Sequence, residues 1–453
     1  MEASGLIARM RRGVGGQSFA QAVGFGIQLV TVPVLLGAWG AELYGEWLIL
    51  FTVPAYLGLV DVGLTTAGIN RTTMLASGGD RDGARAAFQT AWLLVSVISV
   101  AAAALLLLLS GVVPLIGWLG VATMADRDVV FAVLVAYALL KLQSSLLSMG
   151  LISVGKYGAA YFLSGAERII SFGPMIAAAA VGFGPVTAAL CLVSGQIVGF
   201  GVMWLAVRRS NDWLAYGARG ATRDQMATLL KPSIGYLGFT VGNVLNLQTP
   251  ILIIGIWIGP SATPLYVALR MVARVFYILA AGAFAVVRPE IAAAYGRSDM
   301  HLLRLIHTRV LAGALWFGAA ACVGLLSIGP PLVAFWTDGA LAVEQPLFAL
   351  LLATTLATVL WNAGGSVHYA TNQVTGFSRA YLTLSIAAIG AAVLLLGPFG
   401  VEGVVLAQLC GETALFAYVL VASARLLKFN ARDLLRDLAR PPVEAVVALW
   451  RSR

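Results

Sequence analysis

The sequence predicts an all-α integral membrane protein of about twelve transmembrane helices, divided into two six-helix halves. Three observations lead there. Of 453 residues, 60% are hydrophobic and 11% charged, with mean hydropathy +0.90, whereas soluble domains carry about 25% charged residues. Windows of about 19 residues separate twelve apolar stretches. The basic residues fall in alternate loops between those stretches, the pattern that sets membrane topology.

The first stretch, 14–38, follows Arg9, Arg11 and Arg12 and carries Gln17, Ser18, Gln21 and Gln28. A signal peptide's apolar region runs only about 7–15 residues, so this reads as a first membrane helix. The second, 44–68, precedes Arg71, Arg81 and Arg85; the third, 86–110, precedes Pro114, Gly117 and Gly120, read as an outer loop or interfacial turn. The fourth, 129–152, leads to Lys156, and the fifth and sixth, 167–183 and 187–207, lie between Arg168 and the pair Arg208 and Arg209. After a polar loop holding Arg219, Arg223 and Lys231, stretches 232–258 and 264–288 precede Arg288, Arg297, Arg304 and Arg309. Stretches 308–329 and 346–371 precede Arg379, and 379–397 and 402–425 precede the tail from Arg425.

With the N-terminus cytoplasmic, these basic clusters all lie inside, and the even count brings the C-terminus back to the cytoplasm. The opposite side keeps only Arg127, beside Asp126 and Asp128, with Glu42, Glu46, Asp338, Glu344 and Glu402 in its other loops. The net charge of +9 then follows from topology and anionic membrane lipid, and requires no nucleic acid. Cys191, Cys322 and Cys410 fall in apolar spans, an odd buried set that gives no disulfide framework or metal spacing.

The loop 208–231 divides the chain into a bundle at 1–207 and a bundle at 232–427, followed by a cytoplasmic tail at 428–453. Pro33 with Pro250, Arg71 with Arg288 and Gly79 with Gly296 match at a spacing of 217, which points to an internal duplication. Six spans per half make the repeats parallel, a plan common among transporters. The tail's Lys428 to Arg440 (KFNARDLLRDLAR) reads as a short amphipathic helix, with Asn430 as its cap, on the inner leaflet or against a partner.

Pro33 ends the first span and is followed by Gly40-Ala41-Glu42-Leu43-Tyr44-Gly45-Glu46-Trp47; then come Tyr56, Asp61, Gly63, Arg71 and the loop Gly78-Gly79-Asp80. This pattern resembles polysaccharide biosynthesis proteins of the O-antigen flippase type, in the multidrug/oligosaccharidyl-lipid/polysaccharide exporter superfamily. The resemblance implies two bundles facing a central cavity that opens alternately to each side of the bacterial inner membrane. It implies as substrate an undecaprenyl-diphosphate-linked oligosaccharide repeat unit, moved from inner to outer leaflet. A coupling proton or sodium ion and polysaccharide polymerase machinery are the further partners expected. An ion-coupled multidrug or cation exporter on the same scaffold is the near alternative, and a membrane-bound polysaccharide polymerase the distant one.

Within the spans, ionisable residues are the candidate sites, because burying them is costly. Arg270 and Arg274, one turn apart, share a helix face; an arginine at the midplane costs about 2.5–3.5 kcal/mol on insertion scales. The pair reads as a cationic wall for an anionic headgroup, or, for Arg270, as snorkelling to the interface. Lys141, followed by Gln143, Ser144, Ser145 and Ser148, is either a second cation for the same headgroup or the partner of a buried carboxylate. Glu412, a turn after Gln408, and Asp61 are candidates for a coupling ion or for fixed ion pairs. Gln21, Gln28, Asn243, Asn246 and Gln248 either face sugar hydroxyls in the cavity or join helices by hydrogen bonds, and Trp361, Asn362, His368, Tyr369 and Asn372 pose the same choice. Tyr44 and Trp47 read as interfacial aromatics.

Gly150 to Lys156 matches most of a P-loop, but Tyr157 stands where the Ser/Thr belongs and a helix, not a strand, precedes it. Nothing else in the sequence supports a nucleotide, a metal, another cofactor or an enzyme active site.

Overall fold

In a computed structural model, the structure describes residues 3–428 apart from 62–63, 113, 211–213, 215–216 and 372. Side chains are described from Gly15 onward, leaving out 60, 61, 66, 77, 115, 231–236, 285, 286, 289 and 293. The tail beyond Lys428, including the amphipathic segment, and the side chains of Arg9, Arg11 and Arg12 lie outside the described residues.

The described residues form thirteen α-helices. In chain order they are α1 (Ala3–Ala55), α2 (Leu64–Ser77), α3 (Arg81–Val112), α4 (Leu115–Trp118), α5 (Arg127–Ser153), α6 (Tyr157–Ala180) and α7 (Pro185–Ser210), then α8 (Arg223–Trp257), α9 (Thr263–Ala273), α10 (Val275–Gly296), α11 (Met300–Trp336), α12 (Gln345–Ala370) and α13 (Thr375–Leu427). Nine segments among them are long and apolar enough to cross a membrane. Two of these, α1 and α13, contain a glycine with non-helical backbone, Gly40 and Gly400, and each divides there into two crossings. With α6, at 24 residues and about 36 Å by helical rise, twelve crossings result. The chain is therefore a multi-pass, all-helical membrane protein.

Several boundaries differ from expectation. The fifth span starts at Tyr157, ten residues before the predicted 167, so Glu167 and Arg168 sit inside a helix rather than at its mouth. α8 starts at Arg223 inside the expected polar loop, capped by Thr222, whose Oγ1 accepts from the Gln225 N–H at 3.3 Å. The loop before it folds onto α3: Gln89 Oε1 accepts from the Gly220 N–H at 2.7 Å, and Leu214 is buried with Phe88, Leu146 and Met149.

Four pairs of positive-φ residues recur at nearly the same spacing. Gly40 and Gly259, Gly79 and Ser298, and Gly120 and Gly339 are each 219 apart, and Gly182 and Gly400 are 218 apart. The hydrogen bonds repeat too. Gly79 N–H donates to the Ala76 carbonyl and Ser298 N–H to Tyr295; Asp80 N–H donates to Leu75 and Asp299 N–H to Ala294. Asp80 and Asp299 then cap α3 and α11, accepting from Gly83 N–H at 2.8 Å and Leu302 N–H at 2.9 Å. The duplication thus lies in turn chemistry at 219 rather than at 217, so the counterpart of Gly79 is Ser298, not Gly296. At 219 the sequence also aligns Gly40 with Gly259, Asp80 with Asp299 and Gly120 with Gly339, with a serine standing in for glycine at the left-handed Ser298.

Contacts group into two units: Met1–Val244 with Ile254–Pro264, and Leu245–Ile253 with Leu265–Arg453. In the first, α6 packs on α1 and α7. Tyr44 and Trp47 are buried at 2% and 3% exposure and are not interfacial aromatics, because the second half of α1 packs inside its unit. The cysteines form no disulfide, and Cys410 is exposed rather than buried.

Candidate functional site

Among the described residues, each unit holds a mid-helix carboxylate in a network of polar side chains, Glu167 in the first and Glu412 in the second. In the first unit α6 supplies Glu167 and Ser171, α5 supplies Lys141 and Ser144, and α7 supplies Gln196. Lys141 Nζ lies 3.3 Å from Glu167 Oε2. Gln196 Nε2 donates to Glu167 Oε1 and also lies 3.1 Å from Ser144 Oγ, while Ser171 Oγ donates to Gln196 Oε1 at 3.0 Å.

Glycines make this approach of helices fit. Gly195 and Gly199, spaced as in close-packed membrane helices, face α6: a Cβ on Gly195 would strike the Ile170 carbonyl, and one on Gly199 would lie 2.6 Å from Glu167 Cγ. The Glu167 side chain is 2% exposed and that of Lys141 33%. Lys141 borders a cavity of about 220 Å³, otherwise lined mainly by Phe51, Pro54, Leu134, Tyr137 and Leu142. Phe51, Tyr137 and Phe172 form a ring cluster with centroids 5.8–6.3 Å apart.

In the second unit Glu412 of α13 is 8% exposed and is held by neutral donors. Trp361 Nε1 and Thr358 Oγ1 (2.9 Å) donate to Oε2, and Asn246 Nδ2 donates to Oε1 at 3.2 Å. Asn246 Nδ2 also lies 3.2 Å from the Tyr381 hydroxyl and 3.1 Å from Ser385 Oγ. A cavity of about 10 Å³ adjoins Asn246, Tyr381, Ser385, Gln408 and Glu412, close to the volume one water molecule requires. Among the described residues no cation lies within ion-pair distance of Glu412.

The two arginines of this unit differ. Arg270 Nη1 donates to the Leu247 carbonyl at 2.6 Å and lies 3.4 Å from the Tyr266 hydroxyl, which in turn donates to Gln408 at 3.2 Å. Arg274 stands at the junction of α9 and α10. Backbone bonds carry the helix across that junction, Arg274 N–H to Arg270 at 3.0 Å and Ile278 N–H to Arg274 at 3.2 Å. Its guanidinium carbon lies 5.2 Å from the Tyr277 ring centre, and among the described residues the group makes no hydrogen bond or ion pair.

Asn246 alone of the five expected cavity polar residues joins a network. Gln21, Gln28 and Asn243 are exposed and Gln248 is half-buried, with no side-chain hydrogen bond among the described residues. Asp61 ends a 3-10 helix, Tyr56–Asp61, and its side chain lies outside the described residues, as does Asn372. Trp361 serves Glu412, whereas Asn362 bonds back to the Thr358 carbonyl and His368 to Ser423. Glu167 falls at the expected start of the fifth span, where a carboxylate reads as a helix end, and Ser171 and Gln196 carry no signal in the sequence beyond being polar residues within spans. Arg168 also lies mid-helix, with Nη1 3.5 Å from the Ala20 carbonyl. Lys156 donates to the Ser210 carbonyl at 3.2 Å, consistent with an anchoring rather than nucleotide-binding lysine.

No family model and no curated protein matches the chain. Solved structures do. An inward-facing multidrug resistance MATE family transporter of the MOP superfamily superposes with TM-score 0.69 at 15% identity, covering 89% of this chain and 94% of that one. The outward-facing conformation of such a transporter gives TM-score 0.63 at 16% identity over 93% and 95%. A MOP superfamily transporter from Pyrococcus furiosus, whose reversed binding-pocket polarity is taken to suggest a different function, gives TM-score 0.61 at 16% identity over 93% and 95%. Over nearly its whole length, the chain has the twelve-helix fold of MATE transporters of the MOP superfamily.

Proposed function

We propose that the chain is a secondary transporter that exposes its substrate site to one side of the membrane and then the other, without enzymatic chemistry, and that its substrate is an amphiphilic anion. One observation carries the choice of anion: Arg274 is a mid-span guanidinium without an ion pair or hydrogen bond to the described chain. Such a charge in a membrane is costly, and an anionic group of the substrate offsets that cost when it binds. Arg270 supports it from one turn away, while Lys141 is already held by Glu167. Glu412 is the proposed coupling site. Its carboxylate is held by neutral donors beside a cavity that fits a single water or ion, so protonation or sodium binding would change its charge.

The multidrug exporters among the fold's relatives favour an ion-coupled exporter, here with a preference for organic anions. The motif from Gly40 to Trp47 favours a second reading, a flippase for undecaprenyl-diphosphate-linked oligosaccharide in the bacterial inner membrane with both termini cytoplasmic. A pyrophosphate suits Arg274 as well as an organic anion does. Uptake into proteoliposomes under an imposed sodium or proton gradient tests the shared claim, using anionic and cationic dyes of similar size. Deletion of the gene decides between the readings: lipid-linked repeat units accumulating on the inner leaflet support the flippase, and unchanged leaflet distribution with increased dye retention supports the exporter.

A further inference from the structure

The two units solve one problem differently. Both bury a mid-helix carboxylate, yet Glu412 has only neutral donors whereas Glu167 has an ammonium 3.3 Å away. Around Glu167, Gln196 turns its Nε2 toward the carboxylate, and Ser144 Oγ, Ser171 Oγ and Gln196 Oε1 complete the hydrogen-bonded network behind it. Carboxylate, amide and hydroxyl oxygens are the ligands hard cations take, and the Glu167 carboxylate is the one that meets a cation here. Here Lys141 of α5 supplies the cation, its ammonium 3.3 Å from Glu167 Oε2 and the residue bordering an apolar cavity.

We propose that Lys141 is a tethered cation occupying a latent monovalent-cation site at Glu167, so that the first unit keeps a constant charge and takes up no free cation. Any ion coupling is thereby confined to the second unit. The proposal does not depend on what the chain carries. It makes Lys141 a specificity-determining residue for ion use and Glu167 its fixed counter-anion. Removing the ammonium leaves Glu167 to be neutralised by sodium or by a proton.

The test uses the full chain purified in detergent, in a Glu412→Gln background that silences the second carboxylate. The thermal midpoint is followed at pH 8 with sodium chloride or choline chloride up to about 100 mM, and without sodium from pH 8 to pH 5. Adding Lys141→Ala should create a dependence absent from the background protein. The midpoint rises by at least about 2 °C with sodium, if sodium fills the site, or with acid, if a proton does. Lys141→Arg should restore indifference to both, and Glu167→Gln added to Lys141→Ala should abolish the gain. A folded Lys141→Ala protein insensitive to both sodium and pH overturns the proposal. So does the same sensitivity with Lys141 intact. If Lys141→Ala is not recovered folded, Lys141→Gln is measured in its place and judged by the same criteria.

Discussion

Replacing Glu46 tests the physics of the first unit most sharply. Its carboxylate is 1% exposed and receives three consecutive amides: Ala122 and Thr123 N–H on Oε1 at 2.6 Å, and Met124 N–H on Oε2 at 2.8 Å. Ala122 and Thr123 are exposed residues, so water can replace the lost acceptor, and each costs about 0.5–1 kcal/mol. Met124 is buried, and its stranded N–H costs about 1–3 kcal/mol. Glu46→Ala should therefore lose about 2–5 kcal/mol. Glu46→Gln keeps the Oε1 acceptor but turns an NH₂ toward the Met124 amide, so it should lose roughly half as much. Reversible unfolding in mixed detergent micelles, monitored by circular dichroism, measures both. A Glu46→Ala protein within about 0.5 kcal/mol of the parent, or a glutamine variant less stable than the alanine variant, would refute the reasoning.

Three further outcomes follow from the same structure. Gly199→Ala places a methyl 2.6 Å from Glu167 Cγ, so it should destabilise the chain by about 1–3 kcal/mol, as overpacking does, in the same unfolding assay. Trp361→Phe removes one donor to Glu412 while keeping the ring against Tyr381; transport should become less sensitive to the imposed ion gradient, while membrane insertion is unchanged. Glu412→Gln should abolish gradient-driven uptake yet leave the helical content intact by circular dichroism. Gradient-driven uptake at the parent rate in that variant would exclude Glu412 as the coupling site.

The spans themselves were legible in the sequence because apolar length and alternating basic loops are strong signals in a membrane. The motif from Gly40 to Trp47 was legible as a pattern but not as a structure. Gly40 takes φ 72°, where L side chains are strained. A Cβ on Gly45 would strike the Pro260 carbonyl, Glu46 caps a loop, and Tyr44 and Trp47 fill the unit's interior. The Glu46 and Gly45 contacts reach segments 76 and 215 residues away, beyond the reach of local pattern. Glu167 was hidden for a different reason. Hydropathy windows end at charges, so a glutamate and an arginine side by side resembled a helix end, although the apolar run Gly158 to Leu163 before them is itself helical. Arg274 was visible because its neighbours are apolar on both sides. That it makes no hydrogen bond or ion pair among the described residues, while Glu412 is held by Trp361, Thr358 and Asn246, depends on tertiary packing that local pattern does not carry.

The most direct measurement of the central claim is charge-selective uptake by Arg274 variants in proteoliposomes. Paired dyes of similar size and opposite charge are supplied under the same ion gradient. Arg274→Ala should lower uptake of the anionic dye at least about tenfold, which corresponds to about 1.4 kcal/mol of lost interaction, and Arg274→Lys should retain part of it. Undiminished anion uptake by Arg274→Ala, or a parent protein that carries the cationic dye in preference, would contradict the account.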